Sequence, residues 1–267
     1  MKNIFICAEG GCYGNFLAVL IRLAHDANYI KEHYSSETIT KTGAADFISG
    51  AGTLLKYISE QGFDRAEKQQ TIDEIVKLYN DKLFEYTPDV VYEWDRAHCH
   101  IALGHFVRLQ TVTKLLSVPD LKIIYVTFEQ KDCKLIAQNK ITKNFDPKNP
   151  SFDDWVINYL TYHNAGEEYL QEFNATKVSG IISDKLRTKL LELWELDMRK
   201  RAPNTLQVRQ QINDNRVLFI RVDELFKDRD LFLNKLITFV QKEPNNELVD
   251  FYENFKLAQK MYHMYQV

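Results

Sequence analysis

Apolar residues along this chain fall into short runs separated by stretches with helical spacing. Four runs rich in β-branched or aromatic residues predict buried strands, at Ile4–Ala8, Val90–Trp94, Leu121–Thr127 and Arg216–Val222. Continuous apolar strands that alternate with helices are typical of parallel sheets covered on both faces. The pattern therefore predicts an α/β protein with a central, mostly parallel sheet flanked by helices.

The stretches between these runs predict the helices. Asn15 is placed to cap a first helix, because an apolar stripe from Phe16 to Leu23 follows it at once. Further helices are predicted at about Asp64–Leu83, at about Leu103–Leu116, from about Gln130, over about Ser183–Arg199 ahead of Pro203, and as two helices between Asp223 and Tyr265 broken at Pro244-Asn245.

The organisation of the chain predicts a single domain over residues 1–267, since no convincing linker interrupts it. The segment at about 143–178 holds two prolines and several aromatic residues, so it is a candidate lid or acceptor-binding insertion.

Composition narrows the class of protein. The chain has 267 residues, 45% of them hydrophobic and 27% charged, which is typical of a folded globular protein. A net charge of −3 argues against a generic nucleic-acid binder. The four cysteines form no Cys-x-x-Cys pair, which favours free thiols in a reducing compartment. With neither a signal-peptide pattern nor an apolar run long enough to span a membrane, the expected location is cytoplasmic.

The first candidate site is the small-residue turn Glu9-Gly10-Gly11-Cys12-Tyr13-Gly14-Asn15 between the first strand and the first helix. Backbone N–H groups at a helix N-terminus, together with the helix dipole, favour a bound anion. The turn lacks the Gly-Lys-Ser/Thr that an ATPase uses for phosphates and magnesium. It is suited to one phosphate or a sulfate-bearing group, or it is a plain strand-to-helix turn.

Two further stretches carry candidate chemistry. Lysines make the helix after Thr127 basic, so it either holds a second phosphate or presents a solvated face. His98, His100 and His105 are predicted to lie just beyond the second strand, and histidine is the common general base near neutral pH. Their spacing matches no usual zinc motif, and a structural role for each is the alternative.

In this order, the motifs resemble the sulfotransferases that use 3′-phosphoadenylyl sulfate (PAPS), which have a three-layer P-loop-like fold. CAEGGCYGNFLA, Cys7–Ala18, is similar to the family's 5′-phosphosulfate loop, and RAHCH, Arg96–His100, to its Lys-Thr-His-Leu-Pro. KIIYVTFEQKD, Lys122–Asp132, is similar to the strand and Arg-Asn-Pro-Arg-Asp that bind the 3′-phosphate. IRVDELFKDRDLFLNKLITFV, Ile220–Val240, is similar to the strand, Tyr-Glu-Asp-Leu and helix near the family's C-terminus.

The resemblance implies metal-free sulfuryl transfer from PAPS to a hydroxyl or amine of an unknown acceptor, with 3′,5′-adenosine bisphosphate as the product. It implies His98 as the base, with His100 as the rival. Tyr13 or Phe128 is a candidate to stack on a base or ring, although an aromatic residue at either site is more often part of simple packing. The implied donor-binding residues are Gly10, Gly11, Cys12, Tyr13, Gly14 and Asn15 for the phosphosulfate and Lys131, Asp132 and Lys134 for the 3′-phosphate.

The chain departs from the family pattern in the 3′-phosphate element. The family's arginine falls at Phe128, its proline at Gln130 and its serine at Ile136. Two alternatives therefore stay open: a non-catalytic nucleotide-binding or structural protein on the same scaffold, and a divergent P-loop kinase.

Overall fold

The computed structural model of this chain describes residues 2–25, 99–104, 108–117, 121–144 and 150–264. Within these residues, four strands form one sheet in the order β2-β1-β3-β4. The strands are β1, Lys2–Cys7; β2, Cys99–Gly104; β3, Leu121–Thr127; and β4, Val217–Arg221. Every pairing between them is parallel, so the prediction of a mixed α/β chain with a parallel sheet is confirmed.

The helices of the described residues alternate with the strands or follow them. They are α1, Gly14–His25; α2, Leu109–Leu115; α3, Cys133–Asn144; α4, Pro150–Tyr162; α5, Glu167–Ser179; α6, Asp184–Gln211; α7, Arg229–Val240; and α8, Asn246–Met264. Short 3₁₀ turns at Gln130–Asp132 and Val222–Glu224 follow β3 and β4.

The chain divides into two compact units. The first takes residues up to Thr127 and from Asn204 onward, and the second takes residues 128–203. The first unit contains the sheet, α1, α2, α7 and α8, and the second contains α3, α4 and α5. The segment expected to form a lid or acceptor-binding insertion, at about 143–178, falls in the second unit.

The core of the first unit lies on both faces of the sheet. Because side chains alternate along a strand, Phe5, Ile123 and Tyr125 share one face, where they cluster with Val112 of α2 and Val208 of α6. Ile4, Ile6, Ile124 and Val126 belong to the opposite face and are equally buried. Burial of both faces explains why the inner strands β1 and β3 read as continuous apolar runs.

An aromatic cluster joins α1 to the C-terminal helix of the first unit. Phe16 stacks on Phe255 of α8 with the ring centroids 4.4 Å apart, and on Phe251 at 5.9 Å. Phe226, in the segment after β4, contacts both Phe16 and Phe255. The Asn245 side chain also donates from Nδ2 to the Leu23 carbonyl at 2.8 Å, so α8 is tied to α1 by a hydrogen bond as well.

The second unit is organised around a buried carboxylate on α6. Asp197 Oδ2 accepts a hydrogen bond from the Tyr159 hydroxyl at 3.0 Å and lies 3.2 Å from His163 Nε2. Burial and the nearby Asp197 raise the pKa of Tyr159, so its hydroxyl stays protonated as the donor at neutral pH. The cluster connects the end of α4 to the middle of α6.

Several predicted boundaries are wrong. Leu103 and Gly104 end strand β2, so the helix predicted from Leu103 begins only at Leu109. Helix α6 does not stop before Pro203 but runs through it to Gln211. Ala202, Thr205 and Val208 are all buried, so the buried stripe of α6 continues past the proline and outweighs its missing hydrogen bond. The predicted strand Val90–Trp94 and helix Asp64–Leu83 lie outside the described residues.

Candidate functional site

The glycine-rich segment between β1 and α1 folds as a tight turn. The Cys12 N–H donates to the Glu9 carbonyl at 2.9 Å, which closes a four-residue turn. Gly11, at the third position, has φ +94°, as a type II turn requires. Because glycine adopts positive φ without steric cost, the sequence places Gly11 where the backbone demands it.

Tyr13 forms the junction between this turn and α1. Its φ is +63°, in the left-handed region, and its carbonyl accepts from the Leu17 N–H at 3.1 Å. Tyr13 is thus the residue before the helix, and the prediction that Asn15 caps it is wrong, because α1 already begins at Gly14. The N–H groups of the first helical turn have no acceptor within the helix, and no acidic residue lies in that turn.

The turn lies at a position in the sheet where α/β proteins bind ligands. It leaves β1 at Cys7, which pairs with Gly104 of β2 and with Tyr125 of β3. In the order β2-β1-β3-β4, β2 lies on one side of β1, and β3 and β4 lie on the other. The direction in which successive strands are added therefore reverses between β1 and β3. Ligands of open α/β sheets bind beyond the carboxyl ends of the strands at such a switch point.

Two titratable side chains at the carboxyl ends of β1 and β3, next to the turn, keep their protons at neutral pH. Burial, followed by the charge of Glu9, raises the pKa of the Cys7 thiol well above its usual range. Burial likewise raises the pKa of Tyr125, with Cys7, Glu9 and Cys12 contributing. Cys7 is therefore a protonated thiol and a poor nucleophile. Since buried Glu9 is acidic, anion binding would depend on backbone N–H groups and the dipole of α1.

The residues expected to hold a 3′-phosphate belong to the second unit. Asp132 is buried and accepts a hydrogen bond from the Glu129 N–H at 2.8 Å, so its carboxylate caps the 3₁₀ turn. Lys131 Nζ lies 3.2 Å from the Glu129 carboxylate, with the Lys131 side chain 57% exposed. Lys134 is exposed to solvent. These two lysines are accessible, whereas Asp132 has a structural role.

Two of the three positions at which this segment departs from the family are core positions, and the third, Gln130, is exposed. Phe128 and Ile136, which stand where the family has arginine and serine, are both 0% exposed. Packing is also favoured over stacking for Tyr13 and Phe128, because Tyr13 is only 5% exposed and its ring packs edge-on against Phe226 at 5.0 Å. The replacements of the family's arginine and serine therefore fill the interior.

Of the two candidate bases, the structure describes only His100. His98 lies outside the described residues. His100 lies within β2, a strand that was not predicted, where it pairs with Asn3 near the amino ends of the strands. Since the turn follows the carboxyl ends, four residues of strand separate the His100 backbone from that edge, about 13 Å at 3.3 Å per residue. The register thus keeps the backbone of His100 away from the edge where the turn lies.

Sequence reasoning missed a charged group at the carboxyl end of β4. Arg221 pairs with Thr127 across the sheet, and its guanidinium lies 3.0 Å from Asp223 and 3.2 Å from Glu224. Lys235 of α7 donates to the Phe219 carbonyl at 2.8 Å and contacts Glu224 at 3.3 Å. The available signal was the arginine at the end of an apolar strand followed closely by two acidic residues, in RVDE. The group fixes the turn between β4 and α7.

Searches for a metal site, a membrane-spanning helix and related proteins do not identify a function. Among the described residues, no three His, Cys, Asp or Glu side chains are grouped so that they could hold a metal ion. None of the helices in the described ranges is both long and apolar enough to cross a membrane. Comparison with protein-family models, curated proteins and solved structures finds no match for this chain.

Proposed function

We propose that this chain is a PAPS-dependent sulfotransferase of divergent type, with a three-layer P-loop-like fold. The observation that supports the proposal is the Glu9–Cys12 turn, which leads into the N-terminus of α1 at the switch point of a parallel sheet. A parallel sheet buried on both faces is the setting in which such a turn binds phosphate. The strand, 3₁₀ turn and helix from Val217 to Val240 agree in form with the family's C-terminal element.

The residues of the loop would each contribute differently to the donor. The N–H groups of Gly14, Asn15 and Phe16 open α1 and would stabilise negative charge on the phosphosulfate. PAPS, when bound, supplies an activated sulfuryl group and a bisphosphate that leaves. No Walker lysine is needed, because a single phosphosulfate carries less charge than a triphosphate with its metal.

The proton of the acceptor hydroxyl or amine would pass to His98 as this oxygen or nitrogen attacks sulfur. His98 is the base that the resemblance implies, and His100 is its rival. Lys131 and Lys134, both accessible, are the cations of the 3′-phosphate element, in place of the family's arginine and serine.

A second candidate function is a non-catalytic nucleotide-binding or structural protein on the same scaffold. The observation in its favour is the burial of Phe128 and Ile136. These two apolar side chains stand where the family has its arginine and serine, and they cannot bind a 3′-phosphate. A divergent P-loop kinase is the remaining alternative, and the absence of Gly-Lys-Ser/Thr from the turn counts against it.

The proposed function is tested by calorimetric titration with 3′,5′-adenosine bisphosphate in the absence of metal. Micromolar binding that is lost in Gly14→Val supports the donor site, because a branched side chain at buried Gly14 obstructs the start of α1. As a matched control for lost stability, Gly180→Ala changes the glycine at the left-handed C-cap of α5, where alanine is strained although no atom lies within 4 Å, so Tm should fall while binding stays normal. Binding of ATP with magnesium alone would favour the kinase, and binding of neither nucleotide would favour the structural protein.

Comparison of two nucleotides separates the roles of the loop and the lysines. Lys131→Ala and Lys134→Ala should weaken the bisphosphate about tenfold while leaving adenosine 5′-monophosphate unaffected, because only the former has a 3′-phosphate. Equal weakening of both nucleotides would contradict the assignment of these lysines to the 3′-phosphate.

The catalytic assignment is tested by release of the bisphosphate from PAPS across a panel of hydroxyl and amine acceptors. Once an acceptor is found, His98→Ala should lower kcat at least a hundredfold and His100→Ala far less. The reverse order would make His100 the base.

A further inference from the structure

The turn that carries the proposed site is held in shape by side chains from the far end of the chain. Tyr13 has a left-handed backbone, which a residue with a Cβ adopts at a cost and keeps only when its surroundings enforce it. Its ring packs edge-on against Phe226, with centroids 5.0 Å apart, and against Phe255 of α8 at 6.2 Å. These contacts are the surroundings that enforce the conformation.

The two partner rings also support each other. Phe226 and Phe255 lie nearly parallel, at 21° and 6.1 Å between centroids, so Tyr13 enters a corner that both rings form. Helix α8 is anchored independently of Tyr13, by Asn245 Nδ2 to the Leu23 carbonyl and by the Tyr252 hydroxyl to the Leu225 carbonyl. The corner therefore exists only when α8 is docked on α1.

The conformation of Tyr13 determines where the donors of the turn point. Its carbonyl accepts the first hydrogen bond of α1, from the Leu17 N–H, and the Gly11 turn precedes it directly. A rotation of the Tyr13 backbone out of the left-handed region would redirect the N–H groups of Gly14, Asn15 and Phe16 relative to the turn. The start of α1 and the docking of α8 are thus connected through one residue.

We propose that Tyr13 is a positioning residue through which the docked helix α8 holds the turn in the conformation that binds an anion. This inference rests on the proposed function for its ligand, 3′,5′-adenosine bisphosphate, but the coupling of the two segments does not depend on that ligand. The site is competent when Phe226 and Phe255 enclose the Tyr13 ring, and it loses its alignment when they do not.

Variants of Phe226 test the proposal without changing the loop. Phe226→Leu should weaken adenosine bisphosphate about tenfold in calorimetry, whereas Phe226→Tyr, which keeps the ring at a half-buried position, should bind within twofold of the parent. Val208→Ala is the control for lost stability, because Val208 belongs to the buried cluster around Phe5 and Val112. The Tm of this variant should fall while its Kd for the bisphosphate stays within twofold of the parent. Unchanged binding by Phe226→Leu would overturn the proposal.

Amide hydrogen exchange separates failure of this proposal from failure of the proposed function. If the parent protein does not bind the bisphosphate, the proposed function fails, but the coupling is still measured. Phe226→Leu and Phe255→Leu should then speed exchange of the Leu17 N–H, which donates to the Tyr13 carbonyl, at least tenfold, and Val208→Ala should not. Equal exchange in all three variants would overturn the positioning role of Tyr13.

Discussion

The Tyr252 hydroxyl donates a hydrogen bond to the Leu225 carbonyl at 2.7 Å, and both residues are completely buried. Tyr252 belongs to α8 and Leu225 to the segment after β4, so this bond joins the C-terminal helix to the edge of the sheet. A buried carbonyl without a partner is costly, which makes this single bond a sensitive test of how α8 is held.

Replacement of Tyr252 by phenylalanine should lower the free energy of unfolding by about 1–3 kcal/mol, because the Leu225 carbonyl loses its donor. The ring itself is retained, so packing changes little. Urea denaturation measures the loss through the unfolding midpoint. Tyr162→Phe is the matched control, because the Tyr162 side chain is 77% exposed and its hydroxyl can be replaced by water without loss of stability. Equal midpoints for the two variants would contradict the assignment.

The same tyrosine should make the protein sensitive to alkaline pH. Burial, followed by the charge of Glu253, raises the pKa of Tyr252 to about 12, against about 10 in an unfolded chain. Below pH 10 both states keep the proton and the contribution of Tyr252 is complete. Between about pH 10 and 12 only the unfolded state releases it, so stability falls by up to about 1.4 kcal/mol per pH unit.

Comparison with Tyr252→Phe separates the pH-dependent contribution of Tyr252 to stability from the contributions of other buried tyrosines. The difference in unfolding free energy between parent and variant should shrink as the pH rises from 9 to 12, because the variant has no proton to lose at this position. Urea denaturation at four or five pH values gives the difference. A constant difference across this range would show that Tyr252 titrates as an ordinary tyrosine.

The second unit should depend strongly on Asp197. Replacement by alanine leaves two buried donors, the Tyr159 hydroxyl and His163 Nε2, without their shared acceptor. We expect a loss of about 2–4 kcal/mol. Tryptophan fluorescence during thermal unfolding reports the change, because the Trp194 ring lies 5.3 Å from Tyr159. As a control, Asp230→Ala removes a carboxylate in an exposed ion pair with Arg229 and should leave Tm almost unchanged. A similar fall in Tm for both variants would contradict this role.

The sheet was largely readable from the sequence because its inner strands are buried on both faces. Leu121–Thr127 has the predicted bounds, and Arg216–Val222 is two residues longer than the strand Val217–Arg221. β2 was not recognised, since CHIALG mixes a histidine and a glycine with apolar residues and resembles the start of a helix. The end of α6 was missed because packing beyond Pro203 is a tertiary effect that local propensity does not contain.

The candidate site was only partly readable for a similar reason. The glycine at position 11 indicated a turn, and the structure has one there. The left-handed conformation of Tyr13 had no local signal, because it is enforced by Phe226 and Phe255, more than two hundred residues away in the chain. Likewise, the burial of Phe128 depends on the fold around it, so an aromatic residue that seemed available to stack on a nucleotide is in the core.

Restoring the family's arginine at position 128 should destabilise the protein and should not improve donor binding. Phe128 is 0% exposed, so Phe128→Arg buries a guanidinium where an apolar ring packs, at a cost of several kcal/mol. Gln171→Arg adds the same side chain at an exposed position of α5 and should leave Tm unchanged. Thermal unfolding and bisphosphate calorimetry on both variants measure the two effects. A stable Phe128→Arg protein with tighter bisphosphate binding would mean that position 128 faces the ligand and that the departure from the family is a lost contact, not a core substitution.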